Sequence, residues 1–381
     1  MPRVTFSCPT ALSLNPLVHL LPSLPPTMPY TSVPSLFWEP YILSGYRPPG
    51  LPWRYYLLSL LQVHNETVNV WSHLLAGVFV ALRVVLFSVM RGGGLLGVRL
   101  SGPEGWGLGV DLSSLPLALY LFSSLTYLLC SAATHLLHSH SDSAHLSFYF
   151  LDSVGMAVYQ YGCAMVLYFY SSTPTWQHSG VAEVFLPSAA LLAWLSCASC
   201  CFSKLRYLCP YPLSRKLCQL VPTGLAYLLV FSPVAHRIAN QLWGYTFALP
   251  LHCLQGMLFL LAAFFFFFPI PECCFPGRCD IIGHAHQIFH LLLCLSTLAQ
   301  QEAVLEDFLS RRASLVKEHG EWYLLLAGVS FPLLVLLCSM TAIAMRTQAH
   351  THLMLRRGRG GGEDDHEGGT GAHMRQMRMD E

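Results

Sequence analysis

Five polar side chains interrupt stretches that are otherwise apolar, and four of them, three imidazoles and a carboxylate, are of types that bind metals. Ser131 and His135 close one stretch, Asp152 lies near the start of the next, and His286 and His290 open a later one. Imidazoles and carboxylates beside lipid are costly to bury unless they are paired or ligate a metal. These residue types therefore predict a buried divalent-metal site.

The spacing of these residues indicates how they would act. His286 and His290 are four residues apart, which places both imidazoles on one face of a helix. Three histidines leave the fourth tetrahedral position of a zinc ion open, as in catalytic sites. We therefore expect Zn²⁺ bound by His135, His286 and His290, with Asp152 and Ser131 as the catalytic residues. Copper, iron and nickel also accept imidazole, so zinc is preferred on ligand type alone.

Other interpretations stay open at this point. The chain has 18 histidines, and four more lie near the same edges: His138, His140, His145 and His284. Because these histidines are so close, one of them could take the place of one of the three proposed ligands. A lone histidine at a helix end is also more commonly an interfacial group that hydrogen-bonds to water than a metal ligand. Glu66, Asn69 and His73 precede or begin the first apolar stretch, where they either close the floor of the site or cap the helix.

The composition places the chain in a membrane. Hydrophobic residues make up 54% and charged residues 11%, and the mean hydropathy is +0.48. Soluble domains carry about 25% charged residues. The net charge of +1, without a basic stripe, gives no support for a nucleic-acid partner.

Eight stretches are long enough to cross the hydrocarbon core, which takes about 20 apolar residues. They run near Trp71–Met90, Leu112–Thr134, Leu146–Tyr170, Val181–Phe202, Leu217–His236, Leu249–Ile270, Gly283–Glu302 and Trp322–Met345. In an up-and-down bundle, even spans end where odd spans begin. The five polar residues are therefore expected at one leaflet. Arg83, inside the first span, is expected to extend to the outer interface rather than pair within the bundle.

The lysines and arginines predict the orientation. Most of the 21 fall in the N-terminal segment, in the loops on the same side of the membrane as that segment, and in the C-terminal tail. Because lysine and arginine are enriched on the cytoplasmic side, this predicts that both termini are cytoplasmic. We expect a cytoplasmic N-terminal segment at residues 1–66, a transmembrane domain at 67–345 and a disordered cytoplasmic tail at 346–381. The predicted fold class is an all-α integral membrane protein.

The polar positions resemble those of the progestin and adipoQ receptor family. That family has Ser-x-x-x-His at the end of its second helix, Asp in the third and His-x-x-x-His at the start of the seventh. The segment from His64 to His73 is similar to its signature before the first helix. The resemblance runs from about Phe37 to beyond Trp322. It implies a seven-helix bundle, to which this chain adds an eighth transmembrane helix.

Within the family, the chain is more similar to the membrane progestin receptor branch than to the adiponectin receptors. The resemblance implies a plasma-membrane receptor for progesterone or a related steroid that signals through heterotrimeric G proteins. It also implies zinc near the cytoplasmic face. The adiponectin receptors are associated with ceramide hydrolysis, so the alternative is a zinc-dependent lipid amidase acting on a sphingolipid, with Asp152 as general base. A transporter ranks last, because the polar set clusters at one leaflet.

Two positions depart from the similar receptors. Val230-Phe231 stands where they carry Asp in the fifth span, and Leu167 stands where they carry His late in the third. Both departures remove intramembrane polar groups, which are functional by default. We therefore expect them to bear on ligand preference and to leave the metal set unchanged.

Overall fold

Eight long helices dominate the structure, a computed structural model that describes residues 24–90, 98–100, 108–207, 212–240 and 247–360. All eight are long and apolar enough to cross a membrane. They are α1 Thr67–Met90, α2 Leu115–Leu137, α3 Asp142–Val166, α4 Gly180–Arg206, α5 Leu213–Ala239, α6 Ala248–Phe267, α7 Ala285–His319 and α8 Glu321–Gly360. The eight predicted spans and the all-α membrane fold are thus confirmed.

Apolar sequence makes these segments helical because a backbone in hydrocarbon must satisfy its own hydrogen bonds. Local signals then set the ends: the Ser141 hydroxyl accepts a hydrogen bond from the Ala144 amide and caps α3. Gly320, at φ 78°, separates α7 from α8 in a conformation that favours glycine. Four prolines lie inside helices that neighbouring helices support: Pro187, Pro222, Pro233 and Pro332.

The first seven helices form a ring that α1 and α7 close, and α8 packs outside it against α3 and α4. This is the predicted seven-helix bundle with an added eighth helix. Helix α3 is the most enclosed span among the described residues. Gly155 and Gly162 lie on its α2 side, where an added Cβ would stand 2.9 Å from the Cys130 Cβ and 2.1 Å from the Ser123 Oγ. Small residues therefore set the close approach of α2 and α3.

We call the end of the bundle where α1, α3, α5 and α7 begin the near end, and the opposite end the far end. Residues 24–66 pack at the near end. A short antiparallel pair, β1 Val98–Leu100 and β2 Leu108–Val110, connects α1 to α2 at the far end. A π-helical turn, Leu167–Ser171, extends α3 there. The shorter helical segments are Tyr30–Ser32, Ser35–Phe37, Trp53–Leu58, Ser59–Leu61, Leu112–Ser114, His138–His140 and Pro174–Gln177.

Arg83 pairs within the bundle, so the expectation that it extends to the interface is wrong. Its Nε and Nη2 donate to the two carboxylate oxygens of Glu302 on α7, at 2.6 and 2.7 Å. The reason is that α1 packs directly on α7, which brings a carboxylate into reach of the guanidinium. A bidentate pair of this kind is stronger than two neutral hydrogen bonds.

The final helix is longer than the predicted span. Helix α8 continues past Arg346 to Gly360, so residues 346–360, predicted as disordered tail, are helical. The segment between Arg346 and Leu355 contains no glycine or proline that would end a helix, and Gly358 is the first glycine after Arg346. The end of the apolar stretch therefore does not mark the end of the helix. Residues 361–381 lie outside the described residues.

Candidate metal centre and the adjoining cavity

The three predicted ligands meet at the near end of the bundle. His135 lies in the last turn of α2, and His286 and His290 lie in the first turns of α7 on one helix face. One nitrogen of each imidazole lies within 4.8 Å of those of the other two. His135 and His290 are buried and His286 is half-buried. The chain thus brings together the residues that spacing and span parity placed at one leaflet.

Hydrogen bonds define how each ring is turned. His135 uses Nδ1 for a 2.8 Å contact with the Glu66 carboxylate, which leaves its Nε2 for another partner. The Nε2 atoms of His286 and His290 lie 3.0 Å apart. The Nδ1 of His290 lies 3.2 Å from the Nε2 of His73 on α1. The rings of His135 and His290 are therefore each held by a second partner outside the three, Glu66 and His73, and one nitrogen of each of the three rings lies in the cluster.

Glu66 is the centre of the surrounding support. Its carboxylate accepts hydrogen bonds from His135 and from the Asn69 amide, and lies 3.4 Å from His138 Nε2. Burial acts to raise the pKa of Glu66, but the positive charge and hydrogen bond of His135, aided by His138, hold that pKa well below its ordinary value. Glu66 is therefore an anion that orients His135. Of the two interpretations of Glu66, Asn69 and His73, the floor of the site is the one that the contacts favour.

The donor set fits a metal of the zinc type. Three imidazole nitrogens converge in a buried space, and the ring of His135 is backed by a carboxylate. Metal-bound histidines commonly have such a carboxylate on their second nitrogen. Glu66, His135 and His138 also lie within 4.8 Å of one another, but Glu66 there serves as the hydrogen-bond acceptor of His135. His138 turns its Nδ1 to His145 at 3.1 Å.

Asp152 and Ser131 lie beside the histidines and not among them. Asp152, on α3, faces the cavity that also exposes His135, His286 and His290. Ser131, on α2, is buried near the Asp152 carboxylate. This arrangement suits a carboxylate that accepts a proton from a molecule in the cavity, with Ser131 orienting it.

Arg47 fastens the end of α2 that carries His135. Its guanidinium donates to the carbonyl oxygens of His135 at 2.6 Å and Leu136 at 2.5 Å, and to the hydroxyls of Ser59 and Ser139. Arginine at a helix C-terminus satisfies carbonyls that lack helical partners. Burial lowers the pKa of Arg47 to about 10, so it stays charged at neutral pH. Spacing arguments missed this residue, since it lies far from α2 in the sequence.

An apolar cavity of about 260 Å³ extends from the histidines into the bundle. Side chains of α2 to α7 line it, and most of its surface is hydrocarbon. The polar side chains in the wall include Asp152, Gln160, Lys204, Gln219, Gln255, Thr297 and Gln300. Leu167, Val230 and Phe231, the positions that depart from similar receptors, also line it. The departures therefore change the wall of this cavity and leave the histidines untouched.

A second polar cluster, also missed from the sequence, lies at the far end. The buried Asp307 carboxylate on α7 accepts hydrogen bonds from Arg237 on α5 at 2.8 Å and Ser171 at 2.6 Å, and lies 3.0 Å from the His252 Nε2 on α6. One carboxylate thus ties the end of α3 and helices α5, α6 and α7 together. Its sequence signal was an Asp within the polar continuation of α7, beyond the apolar stretch.

Comparisons with known proteins give the same family. A family described as haemolysin-III related matches residues 61–301. Membrane progestin receptor beta of Homo sapiens is 47% identical over 341 residues, 87% of this chain and 90% of the relative. Membrane progestin receptor alpha-B of Danio rerio is 43% identical over 344 residues, 88% of this chain and 92% of the relative. Membrane progestin receptor alpha of Sus scrofa is 45% identical over 310 residues, 81% and 83% of the two chains. The segment Arg215–Pro222 is most similar to the beta type, and this agrees with the match to membrane progestin receptor beta.

Proposed function

Because the chain belongs to the haemolysin-III-related family, as its likeness to progestin and adipoQ receptors indicated, we propose that it is a membrane receptor for a progestin. Relatives that cover most of the chain are named membrane progestin receptors. The observation that carries the proposal is the apolar cavity of about 260 Å³ enclosed by the bundle. Small-molecule sites combine an apolar wall with a few placed polar groups, and this cavity has both.

The proposed ligand lies between α3, α5, α6 and α7, with one end towards the histidines. The wall around Val230 and Phe231 would contact its apolar body, because these side chains replace a polar group found in similar receptors. A steroid that binds one arrangement of the helices better than another shifts their populations. The receptor is proposed to act in the plasma membrane and to signal to a heterotrimeric G protein at the near end.

The near end is proposed to face the cytoplasm, with both termini on that side. The excess of lysine and arginine in the near-end segments supports this orientation. Epitope tags at either terminus should be reached by antibodies only after cells are permeabilised. Labelling of either tag on intact cells would contradict the orientation.

A metal is proposed at His135, His286 and His290, through the nitrogens that face each other. When bound, a zinc ion there supplies a Lewis acid and can activate water. The residues of the chain have separate tasks: Glu66 holds the ring of His135, His73 holds that of His290, and Asp152 offers a proton acceptor in the cavity.

The proposal is tested by saturable progesterone binding to membranes containing the full chain. Val230→Trp, which fills the cavity, is expected to abolish binding. Leu228→Trp is the matched control, since Leu228 lies on the same helix but is 69% exposed towards lipid. Size-exclusion profiles of both purified variants show whether they fold. Absence of saturable binding by the wild type, or full binding by a folded Val230→Trp variant, would contradict the proposal.

A lipid amidase is the second candidate, favoured by Asp152 and the histidines on one cavity wall. In such a reaction water adds to the amide carbonyl and the C–N bond breaks, giving a carboxylic acid and an amine. Asp152 takes the proton of the water and passes it to the leaving amine. Purified protein with a measured metal content should then release fatty acid from ceramide, and Asp152→Asn should stop this while retaining metal. A metal-containing wild type without activity excludes this candidate.

A further inference from the structure

Lys204 is the one lysine or arginine among the described residues that line the apolar cavity. It lies near the end of α4 and shares the cavity wall with Asp152 and His286. An ammonium group in an apolar wall within a membrane bundle is costly, and such groups usually mark a binding or transport site. The contacts of Lys204 show how far that cost is met within the chain.

The ammonium contacts an aromatic ring, and the carboxylates of Asp152 and Glu39 line the same spaces without forming an ion pair with it. Its Nζ lies 3.4 Å from the centroid of the Tyr149 ring. In the described part of the chain, no carboxylate forms an ion pair with it. A cation over a ring face is stabilised, but its N–H groups have no hydrogen-bond acceptor among the residues that the structure describes. Lys204 therefore presents unused donors.

A nearby lysine shows what a satisfied ammonium looks like here. Lys216 on α5 donates to the carbonyl oxygen of Phe267, at the end of α6, at 2.6 Å. Lys216 does not line the apolar cavity; it lines a second space at the near end. Lys204 thus lines the apolar cavity and Lys216 does not, so a substitution of Lys216 can serve as the control for the same substitution of Lys204.

Lys204 also marks the boundary between two spaces. The second space, about 290 Å³, is lined by charged groups that include Glu39, Arg215, Lys216 and Glu272. Lys204, Tyr149 and His286 line both spaces. An apolar molecule in the cavity therefore has its near end beside the ammonium, with the charged space beyond it.

We propose that Lys204 is the specificity-determining residue of the cavity and hydrogen-bonds a carbonyl oxygen at the near end of the ligand. The inference rests on the proposed progestin-receptor function and adds to it the ligand's direction in the cavity. The amino group of Lys204 is a hydrogen-bond donor, so it selects a ligand with an acceptor oxygen at one end of a rigid apolar body. A ligand without that oxygen leaves the ammonium unpaired and binds more weakly.

The bond also gives a route from the ligand to the histidines. Tyr149, on which the ammonium stacks, packs against the rings of His135 and His138. A carbonyl that draws Lys204 away from Tyr149 changes the packing beside the metal ligands. Lys204 is therefore placed between ligand recognition and the near end of the bundle.

The test compares Lys204→Met and Lys204→Arg with Lys216→Met as matched control, in the purified full chain. The probes are progesterone and two analogues in which either the ring carbonyl or the side-chain carbonyl is replaced by a methylene. We expect the wild type to bind one analogue at least tenfold more weakly than progesterone, since a hydrogen bond to a charged group has about that effect. Lys204→Met should lose progesterone affinity by a similar factor and bind that analogue as the wild type does.

The remaining variants and outcomes complete the test. Lys204→Arg should keep most of the affinity and the preference, and Lys216→Met should match the wild type. If Lys204→Met retains both progesterone affinity and the preference between analogues, the proposed hydrogen bond from Lys204 to the ligand is refuted while the receptor function stands. If the wild type binds none of the three steroids saturably, the proposed receptor function is refuted, and the proposed role of Lys204 is refuted with it.

Discussion

Glu66 and His135, 69 residues apart in the chain, are joined by a 2.8 Å hydrogen bond between carboxylate and Nδ1. Because Nδ1 is taken, His135 can offer only Nε2 to the space shared with His286 and His290. The carboxylate thus selects the tautomer and the orientation of one ligand. The segment before α1 is thereby part of the candidate metal site.

Replacing the carboxylate should loosen the metal without removing a ligand. Glu66→Gln is expected to weaken metal retention about 10- to 100-fold, as the loss of such supporting groups commonly does. Metal content after dialysis against graded chelator measures the change. Glu302→Gln, which removes a carboxylate from a site away from the histidines, should retain metal as the wild type does. Equal retention by Glu66→Gln would contradict the role given to Glu66.

Removing one of the three histidines should have a larger effect. His290→Ala deletes the ring that contacts both His286 and His73, so we expect substoichiometric metal in the purified protein. His319→Ala, at the far end of the same helix, is the control and should bind metal normally. Stoichiometric metal in the His290→Ala variant would show that these histidines are not the ligands.

Two carboxylates of α7 that pair with arginines on other helices should differ in their contribution to stability. Asp307 and Arg237 are 5% and 12% exposed, so Asp307→Asn should cost about 3–5 kcal/mol by leaving a buried charge unpaired. Glu302 and Arg83 are 32% and 27% exposed, so Glu302→Gln should cost about 1 kcal/mol or less. Thermal unfolding in detergent measures both. Equal shifts of Tm would contradict the difference in burial.

The near end should make the fold sensitive to acid. Burial, with the charge of Arg47, lowers the pKa of His64 to about 2, so His64 is neutral when folded and becomes protonated on unfolding below about pH 6.5. The unfolded state then binds more protons, and stability is lost as pH falls from 6.5 towards 2, by about 2 kcal/mol at pH 5.

Thermal unfolding at pH 7.5, 6 and 5 tests this. His64→Gln should show a smaller loss of Tm on acidification than the wild type. The control is His178→Gln, which removes an exposed histidine and should follow the wild type. A His64→Gln variant with the wild-type pH dependence would show that this group is not responsible.

The helices and the meeting of His135, His286 and His290 follow from patterns within single segments. The length of each apolar stretch defines a span. Because successive spans run in opposite directions, all three histidines come to lie at one end of the bundle. The four-residue spacing of His286 and His290 places both on the same face of their helix. These signals need no knowledge of how the helices pack. They sufficed to predict the candidate ligands and the end of the bundle at which these ligands lie.

The partners of these residues could not be predicted in this way. Glu66 with His135, Arg83 with Glu302, and Asp307 with Arg237 each join different helices or segments, and depend on how each helix is rotated about its axis. Lys204 illustrates the same limit. In the sequence, Lys204 is one basic residue at the end of an apolar stretch. Only the packed structure shows that its side chain lies over Tyr149 and lines the cavity.

The Asp307 cluster has a consequence for movement. At the far end, α5 and α6 are both held to α7 through Arg237 and His252. They are joined to each other by the rings of Tyr227 on α5 and Phe259 on α6, which stack with centroids 3.9 Å apart. A ligand that widens the cavity should therefore swing α5 and α6 as a pair about a pivot at the far end. The displacement is then greatest at the near end, where a cytoplasmic partner is expected to bind.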